Sequence, residues 1–464
     1  MLKKFLLFVA LCSSLFGCSL SEWKQEKTNA RNMEKLLDLD VHKETLDNGL
    51  TIILVKNETI PTFSYYTLYR VGSKNERPGI TGASHFLEHL MFKGAKKYGP
   101  GEFDYLIESN GGNNNAYTSH DLTVYYENLP LAALETIADL EADRMMNLLL
   151  EEGPFIKEKE VVLEERKMRY ENSPEGQLFL AITSSIFKKT PYEESVIGSI
   201  KDIKNVTRDE IKAYFEKYYA PNNAVIVISG DININSTMRI LRNKYAHLPP
   251  SPKLDKLTDD FINTEYKVKK TQGQEFHLHG QAPYPLFAFA YKSVRINDQN
   301  AIATDLLASI LGDGSSSYFQ QNLVENQAPT LSSLNVFNYT LAHAGVFAVM
   351  GQFLPKTSIK QFQKTFTQQT QRVCEKALTQ RALDKAKNNY LVSFFRNLEK
   401  NSGIAQTLGL NEVFKGDYMF YKKDVASVND TTLADVKRVC RQVFSQRPLY
   451  FTVWNQNSKS KGQK

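Results

Sequence analysis

Apolar positions along this chain recur with two different periods, and the switches between them mark out its elements. Residues 63–71 read as a strand, followed by an apolar helix through Ala83-Ser84-His85-Phe86-Leu87-Glu88-His89-Leu90-Met91-Phe92 that ends at Lys93-Gly94. Asn110-Gly111-Gly112 is a turn signal before Asn115-Ala116-Tyr117-Thr118-Ser119, and Thr123-Val124-Tyr125-Tyr126 reads as the next strand. Residues 155–168 read as an amphipathic helix with Phe155, Val161, Val162 and Met168 on one face. Glu160, Glu164, Lys167 and Glu171 recur on the opposite, solvated face. A helix over 208–219 then leads to a strand over 224–229.

The second half replays this outline. A strand at 286–292 precedes an apolar helix at 301–311, and a helix at 433–444 leads to a strand at 448–453. Pro249-Pro250 and the lysine-rich stretch 268–274 read as the connector. The pattern predicts an α+β protein of two homologous domains, each an antiparallel sheet flanked by helices. Their bounds are 44–255 and 276–464, with a linker at 256–275. Two domains also suit the length, because 464 residues exceed one ordinary core.

The chemistry stands in the first apolar helix. Residues four apart share a helix face, so His85 and His89 aim two imidazoles at one spot. Glu88 is three residues after His85, at the edge of that face, within reach of a water held between them. Two imidazoles with an adjacent carboxylate make a zinc site with a base beside it. A single buried histidine is more often a satisfied core residue, but here three ionisable groups interrupt an apolar helix, and unpaired burial of so many is costly.

Catalytic zinc takes three protein ligands and leaves one position open. On the 155–168 helix, Glu165 and Glu158 fall on the apolar stripe, where a carboxylate needs a cation or strong donors. Glu165 is the better third ligand, although its neighbour Glu164 looks equivalent by eye. Glu158 either orients a ligating histidine from behind or forms a structural ion pair.

These residues carry a resemblance. His-x-x-Glu-His resembles the inverted zinc motif of the pitrilysin/insulinase metallopeptidases, the inverzincins. That family's third ligand follows about 75 residues downstream; Glu165 lies 76 beyond His89. Leu46-Asp47-Asn48-Gly49-Leu50-Thr51, Asn115-Ala116-Tyr117-Thr118-Ser119, Ala142-Asp143-Arg144-Met145, Pro191-Tyr192 with Ile197-Gly198, and Tyr219-Ala220-Pro221-Asn222-Asn223-Ala224 resemble its processing-peptidase branch. The resemblance implies a clam shell of two halves and one Zn2+ per chain, held by His85, His89 and Glu165. It also implies Glu88 as general base, Glu158 behind the ligands, and Asn115 and Ala116 on an edge strand that pairs with peptide substrate. Otherwise that segment is an ordinary hairpin.

The resemblance breaks in the second half. The motif position there holds Ala303-Thr304-Asp305-Leu306-Leu307, which cannot bind zinc. The family's substrate-binding Arg and Tyr fall on Ser317 and Thr330. A sister subunit with the Arg-Tyr pair is therefore expected, a homodimer being the other arrangement. The chain is then the zinc-bearing subunit of a heterodimeric endopeptidase; the alternative is a non-catalytic peptide-binding or assembly protein of the same fold.

A formal charge of +6 with no dense basic run argues against nucleic-acid binding. Lys3-Lys4 and the short apolar run after them form a signal segment, residues 1–18, ending in Leu15-Phe16-Gly17-Cys18, which resembles a bacterial lipoprotein box. That resemblance implies a lipid on Cys18, with residues 19–43 as a tether and, with Ser19 after the cysteine, a periplasmic protein anchored at the outer membrane of a Gram-negative bacterium. Cys374 and Cys440 remain, either paired or as buried thiols.

Overall fold

The computed structural model describes residues 37–58, 60–254, 271–280, 282–355 and 357–454. The signal segment, Cys18 and most of the linker lie outside these residues. The first sheet is built from β1 (Asp40–Thr45), β2 (Thr51–Lys56), β3 (Thr62–Tyr69), β4 (Asn113–Thr118), β5 (Thr123–Pro130) and β6 (Ala224–Gly230). The second contains β7 (Glu275–His279), β8 (Leu286–Ser293), β9 (Leu331–Thr340), β10 (Gly345–Phe353) and β11 (Leu449–Trp454).

The strand orders are β1-β2-β6-β3-β5-β4 and β7-β11-β8-β10-β9. Setting β7 on β2 carries every later strand of the second sheet onto its counterpart in the first, so the repeated plan is one topology used twice. Neighbours run antiparallel except for one parallel pair in each sheet, β2 with β6 and β7 with β11. Those pairs join strands far apart in sequence, where no hairpin dictates direction. Two range ends also move. β1 starts at Asp40, inside the expected tether, and β7 starts at Glu275, inside the expected linker.

Both faces of each sheet are covered, which is why β2 and β8 read as unbroken apolar runs. Alternate residues of β2 divide between two cores: Ile52 and Leu54 face the helices of their own half, whereas Ile53 and Val55 meet Ile404, Ala405 and Leu408. These last three belong to the helix Asn401–Lys415, contributed by the second half of the chain. A Cβ on its Gly409 would lie 2.7 Å from Leu68 on β3, so a larger residue would push helix and sheet apart. Reciprocally, Leu178, Ile182 and Ile186 of the helix Pro174–Ile186 pack on Ala288, Ala290 and Phe451 of the second sheet. Each half thus closes the other's core.

Further contacts tie the halves beside β4. The carboxylate of Asp121 accepts hydrogen bonds from Tyr192 Oη (2.7 Å) and Ala342 N (2.9 Å), and pairs with Lys74 at 2.8 Å. Cys374 and Cys440 form a disulfide between the helices Ile359–Lys376 and Leu433–Phe444.

Candidate metal centre

The motif residues ride on the helix Ala83–Leu90, whose start is fixed by backbone geometry. Gly82, at φ +89°, turns the chain into the helix, and a Cβ there would lie 2.4 Å from Ile197 O. The Glu76 carboxylate accepts from Gly82 N at 2.6 Å and Ser84 N at 2.8 Å, satisfying donors that the first turn leaves without partners. The second helix of the site is Glu152–Arg166. Its terminal Arg166 donates to Ser195 Oγ (3.2 Å) and to Gly198 O, in the loop beneath Gly82. Phe86 and Phe155, with ring centroids 5.1 Å apart, join the two helices.

The inner face of the second helix is Phe155, Glu158 and Val162, with Glu165 half-buried beyond them. Val161 and Met168, expected on the buried face, are 50% and 67% exposed. They lie roughly a quarter turn round the helix from that face. The two carboxylates expected on the stripe do turn inward. Glu165's side chain is 14% exposed and that of Glu164 is 73% exposed, so the helix distinguishes the neighbours that look alike in sequence.

Three donor atoms converge here. His85 Nε2 is 3.7 Å, and His89 Nε2 3.2 Å, from the same oxygen, Glu165 Oε2. All three ligand atoms lie within 4.8 Å of one another, and no other group of three such residues is so placed among the described residues. Protein ligands of one tetrahedral zinc ion, at about 2.0–2.1 Å from it, are roughly 3.4 Å apart. The spacing and the nitrogen–oxygen donor set therefore fit zinc. Behind them, His89 Nδ1 is 2.8 Å from Glu158 Oε1, and Glu158 Oε2 is 2.8 Å from Lys93 Nζ. This contact fixes the ring and leaves Nε2 to face Glu165. His85 Nδ1 is buried without a partner.

The electrostatics separate the two rings. Burial opposes charge on His89, yet hydrogen bonds to Glu158 and Glu165 prevail and push it up to about 9. Burial and the neighbouring His89 push His85 down to about 4. Burial raises Glu88 above the usual carboxylate range, against a hydrogen bond from Thr118 Oγ1 to Glu88 Oε2.

Asn115 and Ala116 lie on β4, the edge strand of the first sheet, and Ala116 N donates to Asn115 Oδ1 at 2.8 Å. Two residues later on the same strand, Thr118 ties that edge to Glu88. Ser317 and Thr330 carry buried hydroxyls without partners. Ser317 lines a cavity of about 510 Å3 with Tyr318, Arg381 and Lys385, and no motif residue lines it. Thr118, Lys93 and Arg169, whose Nε is 3.0 Å from Glu165 Oε1, were not singled out from sequence. Lys93 and Arg169 are each four residues from a site glutamate or histidine, a usable spacing signal. Nothing local marks Thr118.

Residues 51–199 match the family described as Insulinase (Peptidase family M16), and residues 205–390 match Peptidase M16 inactive domain. The second match includes β6, which completes the first sheet. The zinc protease PqqE of Helicobacter pylori is 32% identical over 406 residues, covering 86% of this chain and 89% of that protein. The beta subunit of the mitochondrial-processing peptidase of Lentinula edodes is 23% identical over 411 residues, 86% of each chain. The crystal structure of a protease from Helicobacter pylori superposes with a TM-score of 0.82 at 30% identity, covering 90% of this chain and 100% of that one.

Proposed function

The chain belongs to the insulinase (M16) peptidase family, and from that premise we propose that it is a zinc-dependent endopeptidase acting on extended peptides. The observation that carries this reading is the convergence of His85 Nε2, His89 Nε2 and Glu165 Oε2, with Glu88 held beside them by the edge strand. His85, His89 and Glu165 would hold one Zn2+ per chain. When bound, zinc supplies Lewis-acid polarisation of a carbonyl and lowers the pKa of water. Glu88, with Oε2 engaged by Thr118, takes the proton of the attacking water at Oε1 and passes it to the leaving amine. Glu158 keeps His89 oriented. The backbone of β4 around Asn115 and Ala116 pairs with substrate, giving affinity with little demand on sequence.

Ser317 and Thr330 cannot bind and polarise a substrate carbonyl as an Arg-Tyr pair does. We therefore read the chain as the zinc-bearing subunit of a heterodimer, with the half 276–464 non-catalytic. That one relative is named as a beta subunit supports this reading. The same two residues favour a second reading, a peptide-binding or assembly protein that does not cut. The Cys374–Cys440 disulfide supports an oxidising compartment, in keeping with export to the periplasm and a lipid on Cys18. Among the described residues, no helix is long and apolar enough to cross a membrane.

The test is cleavage of a quenched fluorescent peptide library by the purified chain, alone, after chelation, and mixed with a family member that has the Arg-Tyr pair. Chelator-sensitive activity that appears in the mixture supports the split enzyme. Full activity alone removes the need for a partner. Silence in every mixture with zinc bound favours the peptide-binding reading.

A further inference from the structure

The helix that supplies Glu165 does not end as an ordinary α-helix. It widens into a π turn over Lys167–Glu171, an irregularity found often at functional sites. Arg169 folds back from this turn, and its Nε lies 3.0 Å from Glu165 Oε1. The Glu165 carboxylate is therefore divided, Oε2 towards the two histidines and Oε1 towards the guanidinium. The Arg169 charge is also felt, as a minor contribution, at His85 and Glu88.

The neighbouring Arg166 spends its guanidinium on Ser195, Gly198 and Glu171 and is 15% exposed. Arg169 is 64% exposed, and Glu165 is its one carboxylate partner among the described residues. A planar guanidinium held through Nε keeps its two terminal nitrogens for a second, bidentate acceptor. This cation stands at the metal centre of a chain whose second half offers serine and threonine where the resemblance places Arg and Tyr.

We propose that Arg169 is a specificity residue: its terminal nitrogens receive the side-chain carboxylate of an aspartate or glutamate next to the scissile bond. The inference deepens the peptidase reading and rests on it. Acidic peptides are selected because two carboxylates, one from Glu165 and one from substrate, share one guanidinium across its two edges. An amide in place of the substrate carboxylate loses the charge-assisted pair.

The test separates this from catalysis by measuring binding. Fluorescein-labelled peptides carrying Glu or Gln at each position around the cleaved or candidate bond are titrated against the zinc-loaded Glu88→Gln chain and followed by anisotropy. Zinc affinity is measured in parallel by competition with a chromogenic chelator. The expected result is a preference of about tenfold for Glu over Gln at one position, the lower end of what a hydrogen bond to a charged group contributes. In the Arg169→Gln, Glu88→Gln chain that preference falls to near unity, and Arg169→Lys restores part of it. No preference at any position overturns the proposal. So does a preference that survives Arg169→Gln, and so does a fall in zinc affinity with the Glu/Gln ratio unchanged, which would leave Arg169 as a support for Glu165 alone. Binding without cleavage by the Glu88-intact chain would instead count against the peptidase reading and leave the Arg169 preference standing.

Discussion

β3, the motif helix and β4 in the first half correspond to β8, the helix Ala301–Gly312 and β9 in the second. Strand order and the single parallel pair are the same. On the two matching helices, the difference that matters to the site is five residues long. Where the first helix presents His85, Glu88 and His89, the second has Ala303, Leu306 and Leu307, all buried in an apolar core. Within the same five residues, Asp305 is half-buried and accepts a hydrogen bond from Asn338 on β9 at 2.8 Å. The comparison teaches that the plan needs no metal to fold. The site is present in one copy alone, and function follows the side chains placed on the fold.

The strongest way to break the comparison is to make the first helix resemble the second. His85→Ala with His89→Leu copies Ala303 and Leu307, and should abolish stoichiometric zinc binding and all turnover while the chain stays folded. Metal analysis of the purified variant and its circular dichroism check both halves of that statement. A variant that kept one zinc per chain would show the ligands to lie elsewhere. Glu88→Gln is the narrower change. It should keep zinc and lower turnover by about 10²–10⁴-fold, the range for general acid–base catalysis. Cleavage by this variant at the wild-type rate would remove Glu88 from the proton-transfer role.

A smaller effect is expected one layer out. Glu158→Gln loosens the hold on His89 and should weaken zinc binding by about 10–100-fold, as such supporting residues do. Glu164→Gln, on the exposed side of the same helix, should change it little. Chelator competition on the two variants decides which carboxylates support the centre. Equal losses from both would show a general charge effect, not a contact.

What was legible in sequence follows from distance along the chain. His85, Glu88 and His89 are bound by helical spacing, and Glu165 and Glu158 by the same rule on a second helix. That rule was applied too broadly at Val161 and Met168, since a highly charged helix offers little apolar contrast to fix its phase. Thr118 was illegible because its contact with Glu88 depends on how an edge strand approaches a helix 30 residues away. The crossed packing was hidden for a related reason. The helix Asn401–Lys415 buries Ile404, Ala405 and Leu408, but nothing in those residues says whose sheet they cover.

Asp305 gives the smallest effect and the one confined to the second half. Burial raises its carboxyl to about 6, with the Asn338 hydrogen bond pulling the other way and Asp424 adding to the rise. A folded-state pKa above the unfolded value of about 3.9 means that the fold favours the neutral acid. Its contribution to stability is therefore complete below the unfolded value and is lost as pH rises from there through 6. An asparagine side chain has nearly the shape of the neutral acid and can still accept from Asn338, so Asp305→Asn should stabilise the chain at pH 7.5. One pKa unit corresponds to about 1.4 kcal/mol, which puts the gain at roughly 2 kcal/mol after allowance for partial exposure. The gain should shrink between pH 6 and pH 4, and urea midpoints across that range measure it. A gain independent of pH would mean that the substituted amide improves packing and that the charge on Asp305 costs the second half nothing. A gain that tracks the titration would show that a polar residue, kept at the motif position of the metal-free copy, costs stability near neutral pH where the first copy's polar residues would gain it from zinc.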